Sequence, residues 1–308
     1  MSKILVIGSA NTDFISKMKE FPVPGETVEG SLFLQAMGGK GANQALAAHK
    51  LGADVRFVTC LGKDINGENT INYYKNQNLD ISLVVTVENV PSGTAMIWVD
   101  QMGENCIVVT PGANKILSPE HIDKMEDVIA KADMVVVQME ISYNTIKKTC
   151  EIANRNHTKL LLNAAPAHPI DPETMNRIDI LVVNETEAEI ISGKKIELIG
   201  IEAVVDELRS MGPTTVILTL GKNGSFLKNE KTVIKVPAYE VKTVDSTAAG
   251  DVFCGALAAS LVKGHNWDEA LKFATAASAI CVNRMGAQPS IPSKNEVNIF
   301  LKNINNNS

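Results

Sequence analysis

The chain has 308 residues, 45% of them hydrophobic and 21% charged, with a net charge of −6. That is ample material for the core of an ordinary soluble α/β protein, and the acidic balance argues against a nucleic-acid or anionic-membrane surface. Anionic ligands must then be held by local devices: helix N-termini, a few lysines and a metal ion.

Cys60, Cys106, Cys150, Cys254 and Cys281 are widely spaced, with no CxxC pair, and read as reduced core residues of a cytoplasmic protein. The leading MSKILVIG is too short and too soon polar for a signal peptide, and no apolar run approaches the ~18 residues of a membrane helix.

In chain order, ILVIG (4–8) opens as a buried strand, and GSANTD (8–13) follows its carboxyl end, where open α/β sheets hold ligands. Asn11 supplies donors and acceptors and Asp13 only acceptors, a pair suited to sugar hydroxyls; a polar Asx turn is the competing reading. Residues 14–37 contain Pro22, Pro24, Gly25 and Gly30 and a β-like SLFLQAM, with no helix. Gly38, Gly39 and Gly41 open a helix over 41–52, letting backbone approach a ligand while Lys40 and Asn43 point toward it. A plain glycine-rich helix start is the alternative. A Walker A loop is excluded because Lys40 precedes Gly41, and the G-x-G-x-x-G of a dinucleotide site is absent after the first strand.

Strand VRFVTC (55–60), a helix over 67–78 and the hairpin SGTAMIWVDQMGENCIVV (92–109) come next. The β segments 14–37 and 92–109 are expected to pair as a small sheet over the site, a lid or dimer clasp, because a bare sheet there exposes an edge. A helix over 118–132, strand MVVVQ (134–138), a helix over 142–156 and strands KLLLNAA (159–165), ILVVN (180–184) and TVILTLG (215–221) continue the alternation. The pattern predicts one α/β domain over 1–308, a doubly wound, mainly parallel sheet flanked by helices, with a small β-sheet lid.

Glu140 sits just past one strand end, Asn184 and Glu187 past another, and Thr219, Gly221 and Gly224 past a third. Such groups suit nucleotide contact and Mg²⁺ held through water, although Glu187 alone also reads as a first-turn glutamate after a capping residue. Beyond 246 the chain is nearly all helix, over 248–263, 267–284 and 293–303, before an Asn-rich tail expected to fray.

The run DSTAAGD (245–251) carries the most chemistry. Ala248, Ala249 and Gly250 have almost no side chain, so their N–H groups can meet an anion at a helix N-terminus. Asp251 stands beside them as a carboxylate able to take a proton from an attacking alcohol, the minimum equipment for phosphoryl transfer. Taken alone it also reads as a favourable first-turn residue.

Taken together, over essentially the whole length, these runs resemble the ribokinase branch of the PfkB carbohydrate kinase family. GGKGANQA (38–45) resembles its first signature and DSTAAGDVFCGAL (245–257) its second, while GSANTD, NETEAE (184–189) and RMGAQPS (284–290) narrow the likeness to that branch. The chain departs at Ser246, where threonine is usual, and at Val252 and Cys254, where threonine and asparagine are common; none of these is a proposed catalytic group.

The resemblance implies ATP-dependent phosphorylation of D-ribose at its 5-hydroxyl, with a sister kinase of deoxyribose, another sugar or a nucleoside as the alternative. It implies that Asn11, Asp13, Gly39, Lys40, Asn43 and Glu140 bind the sugar, with Asp251 as base and Ala248, Ala249 and Gly250 as anion hole. Asn184, Glu187, Thr219, Gly221 and Gly224 would line the nucleotide and Mg²⁺ side, with Thr275 near the adenine. It also implies a monovalent cation, K⁺, at Asp245 and Thr247 with backbone groups near Cys281, Arg284 and Gly286 and the Ser290 hydroxyl. A direct Arg284–Asp245 pair is the competing reading. Because Ile97 and Trp98 alternate, one face of the hairpin is expected to be apolar and covered by a second subunit in a homodimer.

Overall fold

The computed structural model of the protein describes residues 3–307. Its strands are β1 (Lys3–Ile7), β2 (Asn11–Met18), β3 (Gly30–Gly38), β4 (Asp54–Val58), β5 (Cys60–Gly62), β6 (Val85–Val87) and β7 (Gly93–Val99). There follow β8 (Asn105–Thr110), β9 (Met134–Gln138), β10 (Lys159–Asn163), β11 (Ile180–Asn184), β12 (Thr215–Thr219), β13 (Ser225–Asn229) and β14 (Val233–Val236).

The main sheet runs β14-β13-β12-β11-β10-β9-β1-β4. It is parallel from β4 through β12 and antiparallel at the β12-β13-β14 edge. The continuous apolar strands form here because helices cover both faces, so neither face can be polar. Ile4, Val6, Val136, Leu161 and Val182 pack on one side with residues of the helices Lys40–Lys50, Ala249–Leu261 and Trp267–Val282. Leu5, Ile7, Val135, Val137, Leu160 and Leu162 pack on the other with helices Tyr143–Arg155 and Ile201–Ser210. Each such Leu, Ile or Val contributes roughly 1.5–3 kcal/mol by its burial. Strand order reverses at β1, which has β4 on one side and β9 on the other. A reversal of this kind opens a crevice at the carboxyl ends of the strands.

A second, four-stranded sheet has the order β3-β2-β7-β8, with β2 and β7 parallel and the other pairs antiparallel. It unites the segments 14–37 and 92–109 but begins earlier, at Asn11, so Asn11 and Asp13 open a strand rather than occupy a turn. Register places Asp13, Ala36, Ala95 and Val109 on one face and Phe14, Gln35, Met96 and Val108 on the other. Exposed apolar side chains stand on both: Leu32, Leu34, Ile107 and Val109 on the Asp13 face, and Phe33, Met96, Trp98 and Val108 opposite. The expectation of one apolar face is too narrow, because period-2 alternation here sets apolar residues at both parities.

Three further departures are local. The helix expected over 118–132 is two short ones, Pro119–Asp123 and Glu126–Ala130. The last helix runs Lys294–Asn307, past 303; Val297 is buried in the core and Phe300 packs edge-on against Tyr239 with ring centroids 5.3 Å apart. Packing outweighs the weak helix propensity of asparagine. All five cysteines are free thiols, but Cys106 is exposed, because β8 lies on the uncovered sheet. Among the described residues no helix is long and apolar enough to cross a membrane.

Candidate active site

The helix Lys40–Lys50 starts hard against the end of β1. A Cβ at Gly41 would fall 2.5 Å from the carbonyl carbon of Gly8, and one at Gly39, whose φ is +91°, would fall 2.8 Å from Ala10 Cα. Only glycine permits that approach. Gly39 has no side chain with which to cap the helix, and Glu140, just beyond β9, does so from a distance. Its Oε2 accepts from Lys40 N (3.0 Å) and from Ser9 Oγ (2.5 Å). A carboxylate at a helix N-terminus satisfies an orphan donor and complements the dipole. Glu140 Oε1 has no hydrogen-bond partner among the described residues.

Asp13, Glu140 and Asp251 lie within electrostatic reach of one another, and Lys40 faces Asp251 and Glu140. Burial, then the Glu140 and Asp251 charges, push the Asp13 carboxyl up to about 7. Burial likewise raises Asp251, opposed by the Lys40 ammonium and by hydrogen bonds from Asn43 and Gln44. Lys40 is raised in turn, chiefly by Asp251. Asn43 Nδ2 donates to Asp251 Oδ2 at 2.9 Å, while the buried Asn43 Oδ1 has no partner. Asn11 spends its Oδ1 on Asn114 Nδ2 (2.8 Å), leaving its amide N–H groups as donors. Three carboxylates, an orphaned acceptor and one ammonium in one crevice suit a neutral ligand rich in hydroxyl donors.

Above this cluster begins the helix Ala249–Leu261, with Ala248 at its N-cap in the left-handed region (φ +61°). Ala249 N–H is turned to the Ser246 carbonyl at 3.2 Å, so it is not available to an anion in this conformation. The N–H groups of Ala248, Gly250 and Asp251 have no partner among the described residues, and a Cβ at Gly250 would stand in open space. Open N–H groups at a helix N-terminus are suited to an anion.

The nucleotide-side candidates are more dispersed. Asn184 and Glu187 form a reciprocal capping box, Asn184 N to Glu187 Oε2 at 2.9 Å and Glu187 N to Asn184 Oδ1 at 2.8 Å. The capping reading of Glu187 therefore holds, yet Glu187 also feels the site: its carboxyl is raised by burial and by Asp251 and lowered by Lys40. Among the described residues no three His, Cys, Asp or Glu side chains are gathered to hold a metal. A lone carboxylate fits Mg²⁺ bound through water and phosphate oxygens, not a protein cage. Thr219 ends β12, with its hydroxyl on the Val183 carbonyl (3.3 Å). Gly221 and Gly224 both have positive φ, and a Cβ at Gly224 would strike Val236 O at 2.0 Å. Thr275 Oγ1 is buried without a partner.

The structure brings the cation candidates together from two loops. Asp245 Oδ1 accepts from Thr247 N (2.9 Å) and Thr247 Oγ1 (2.6 Å), and Oδ2 from Gly286 N (2.9 Å). Burial works to raise the Asp245 carboxyl, but these bonds outweigh it and hold it low. Cys281 Sγ lies 2.9 Å from Ser290 Oγ, which donates to the Ala287 carbonyl. Arg284 pairs with Glu296, not with Asp245.

Four site residues lie outside the sequence expectations: Gln44, Gln138, Asn163 and Asn114. All are buried amides, bonded to one another or to Asp251 or Asn11. A cleft of about 710 Å³ opens at the other ends of the strands, between β9–β12 and the turn at Gly264–Trp267. Its carboxylates are committed to backbone, Asp133 to Lys3 N and Asp179 to Leu160 N.

A carboxylate at the base of a hydroxyl-binding crevice, beside an open helix N-terminus, defines an enzyme that moves a phosphoryl group to an alcohol. The profile of the pfkB family carbohydrate kinases matches residues 1–294, and the chain belongs to that family of sugar kinases. It is 38% identical over 301 residues to a ribokinase of Haemophilus influenzae, covering 97% of this chain and 98% of that one. It is 36% identical over 300 residues to a deoxyribokinase of Salmonella typhi, with 97% and 98% covered. The fold superposes on an Arabidopsis thaliana ribokinase complexed with ribose and ATP at a TM-score of 0.92, with 32% identity and 98% and 99% coverage.

Proposed function

We propose that the protein phosphorylates D-ribose at its 5-hydroxyl with ATP. The observation that carries this reading is Asp251: buried, held by Asn43 and Gln44, and one residue from the open N–H of Gly250. Asp251 takes the proton of the 5-hydroxyl as that oxygen attacks the γ-phosphorus, and the bond from that phosphorus to the bridging β-phosphate oxygen breaks to release ADP. The N–H groups at 248, 250 and 251 receive the charge that spreads over the transferring group. Asp13, Glu140 and the free oxygen of Asn43 accept sugar hydroxyls, Asn11 and Lys40 donate to them, and Gly39 keeps the backbone close.

On the nucleotide side, Thr219, Gly221 and Gly224 flank the phosphates and ribose of ATP, and Thr275 gives its unpaired hydroxyl to the adenine. Glu187, with Asn184, would hold Mg²⁺ through water; when bound, that ion neutralises phosphate charge. Asp245, Thr247, Ser290 and the backbone near Cys281, Arg284 and Gly286 would hold K⁺.

The sheet of β2, β3, β7 and β8 acts as a lid over the sugar within one domain spanning 1–308, and a second copy of the chain covers its exposed apolar residues. Apolar residues left bare on both faces of one small sheet would be an unusual patch for a monomer. Light scattering at micromolar concentration should give twice the monomer mass; a strict monomer removes the dimer.

Deoxyribose is the second reading, favoured by the deoxyribokinase relative. An ADP-release assay across ribose, deoxyribose, fructose and nucleosides decides between them, with the highest kcat/KM expected on ribose. Turnover confined to another sugar overturns the assignment.

A further inference from the structure

Three buried amides stand between the sheet and Asp251. Gln44 lies on the helix Lys40–Lys50, Gln138 ends β9 and Asn163 ends β10. Gln44 Nε2 donates to Asp251 Oδ1 and to Asn163 Oδ1, both at 3.0 Å. Its Oε1 accepts from Gln138 Nε2 at 2.7 Å, and Asn163 Nδ2 reaches the Val182 carbonyl at 3.3 Å. Every donor and acceptor direction of the Gln44 amide is therefore in use except one acceptor lone pair. Turning it over would break three bonds. Gln138 is confined as well, since a Cβ at Gly8 would fall 2.0 Å from its Oε1.

We infer that Gln44, anchored by Gln138 and Asn163, is a positioning residue that ties down one oxygen of Asp251 so that the other lone pairs keep their aim at the substrate hydroxyl. This rests on the reading of Asp251 as the base. A buried carboxylate with two neutral donors keeps both its rotamer and its charge, because hydrogen bonds to the ionised form favour that form. The titratable groups facing Asp251 are Lys40, Asp13, Glu140, Glu187, Cys254 and Cys281, of which only Lys40 favours its ionised form. The amides supply the rest.

Gln44→Met keeps the length of the side chain and removes its donors. The expected result is a kcat lower by about 10- to 100-fold, the value of a hydrogen bond to a charged group, with KM for ribose and ATP little changed. The acid limb of the kcat–pH profile should move to higher pH. Gln138→Met touches neither Asp251 nor any proposed ligand contact, and should give a smaller loss with the same shift of the limb. The double variant should be no slower than Gln44→Met, because both act through one contact. Losses that multiply, or a lower kcat with an unmoved pH limb, overturn the inference by assigning the amides a merely structural role. If Gln44→Met fails to fold, the Gln138→Met profile decides by the same shift. An unchanged Gln44→Met enzyme overturns the inference and leaves the base intact, whereas an active Asp251→Asn enzyme overturns the base itself.

Discussion

Asp13 and Gly38 fill one space: a Cβ added at Gly38 would fall 2.1 Å from Asp13 Oδ2. Gly38 is the last residue of β3 and pairs with Asn11, so it meets Asp13 on the same face of the four-stranded sheet. Gly38→Ala must therefore push the carboxylate aside, since the backbone of a paired strand cannot yield. Ribose affinity should fall by about 10- to 100-fold, as for the loss of a charge-assisted bond. ATP affinity should stay near wild type. Calorimetry with each ligand separates the two, and an unchanged ribose Kd would remove Asp13 from the sugar site.

Asp13 also gives the site a pH dependence. Its carboxyl is raised from 3.8 to about 7 by burial and by two neighbouring carboxylates, so the folded protein binds this proton more tightly than the unfolded chain. Its contribution thus favours the folded state at low pH and weakens it as pH rises from about 4 to 7. Asp13→Asn should raise the melting temperature at pH 8, where the wild type holds a strained charge, while ribose binding is lost. In the wild type, ribose affinity should fall by up to ~10-fold per unit below about 7, because hydroxyls require the ionised acceptor. A flat ribose Kd between pH 5.5 and 8 contradicts the assignment.

Asp251→Asn keeps the shape of the side chain and most of its hydrogen-bonding surroundings but removes its basicity. Turnover should drop by at least ~10²-fold, the usual value of a positioned general base, with sugar and ATP binding close to wild type. More than a tenth of wild-type kcat would exclude Asp251 as the base.

Much of this was legible in the chain because its signals are local. MVVVQ and ILVVN are strands wherever helices cover both sides, and Gly39 or Gly41 marks a close approach through its missing side chain. The support of Asp251 is different. Gln44, Gln138 and Asn163 look like stray polar residues at the ends of apolar runs, and their bonds span 94 to 207 residues of sequence. No spacing rule brings them together; only the sheet order β10-β9-β1 does. Strands β13 and β14 carry a weak signal for a related reason: SFLKN and VIKV are only five and four residues long and each is interrupted by a lysine, β14 lying at the edge of the sheet and β13 beside it. Glu140 stands out in the chain as a carboxylate just past a strand, yet its role as a remote helix cap appears only when β9 and the Lys40 amide are seen side by side.

The proposed potassium site has the finest balance. Burial alone would make Asp245 demand a cation, but three donors already reach it from Thr247 and Gly286, and Arg284 is engaged by Glu296. An ion there is not needed to neutralise a bare charge; on this proposal it acts by ordering the loops 244–247 and 282–290, the first of which leads directly into residues 248–251. Potassium should then raise kcat several-fold at fixed Mg²⁺ and ribose, and sodium much less, because a smaller ion fits carbonyl and hydroxyl oxygens spaced for a larger one poorly. Asp245→Asn should remove the response while leaving basal activity measurable, since Asn still accepts from Thr247. Rates are compared in potassium and sodium salts, with a tetraalkylammonium salt holding ionic strength constant. Equal rates in all three would leave Asp245 a loop anchor and nothing more.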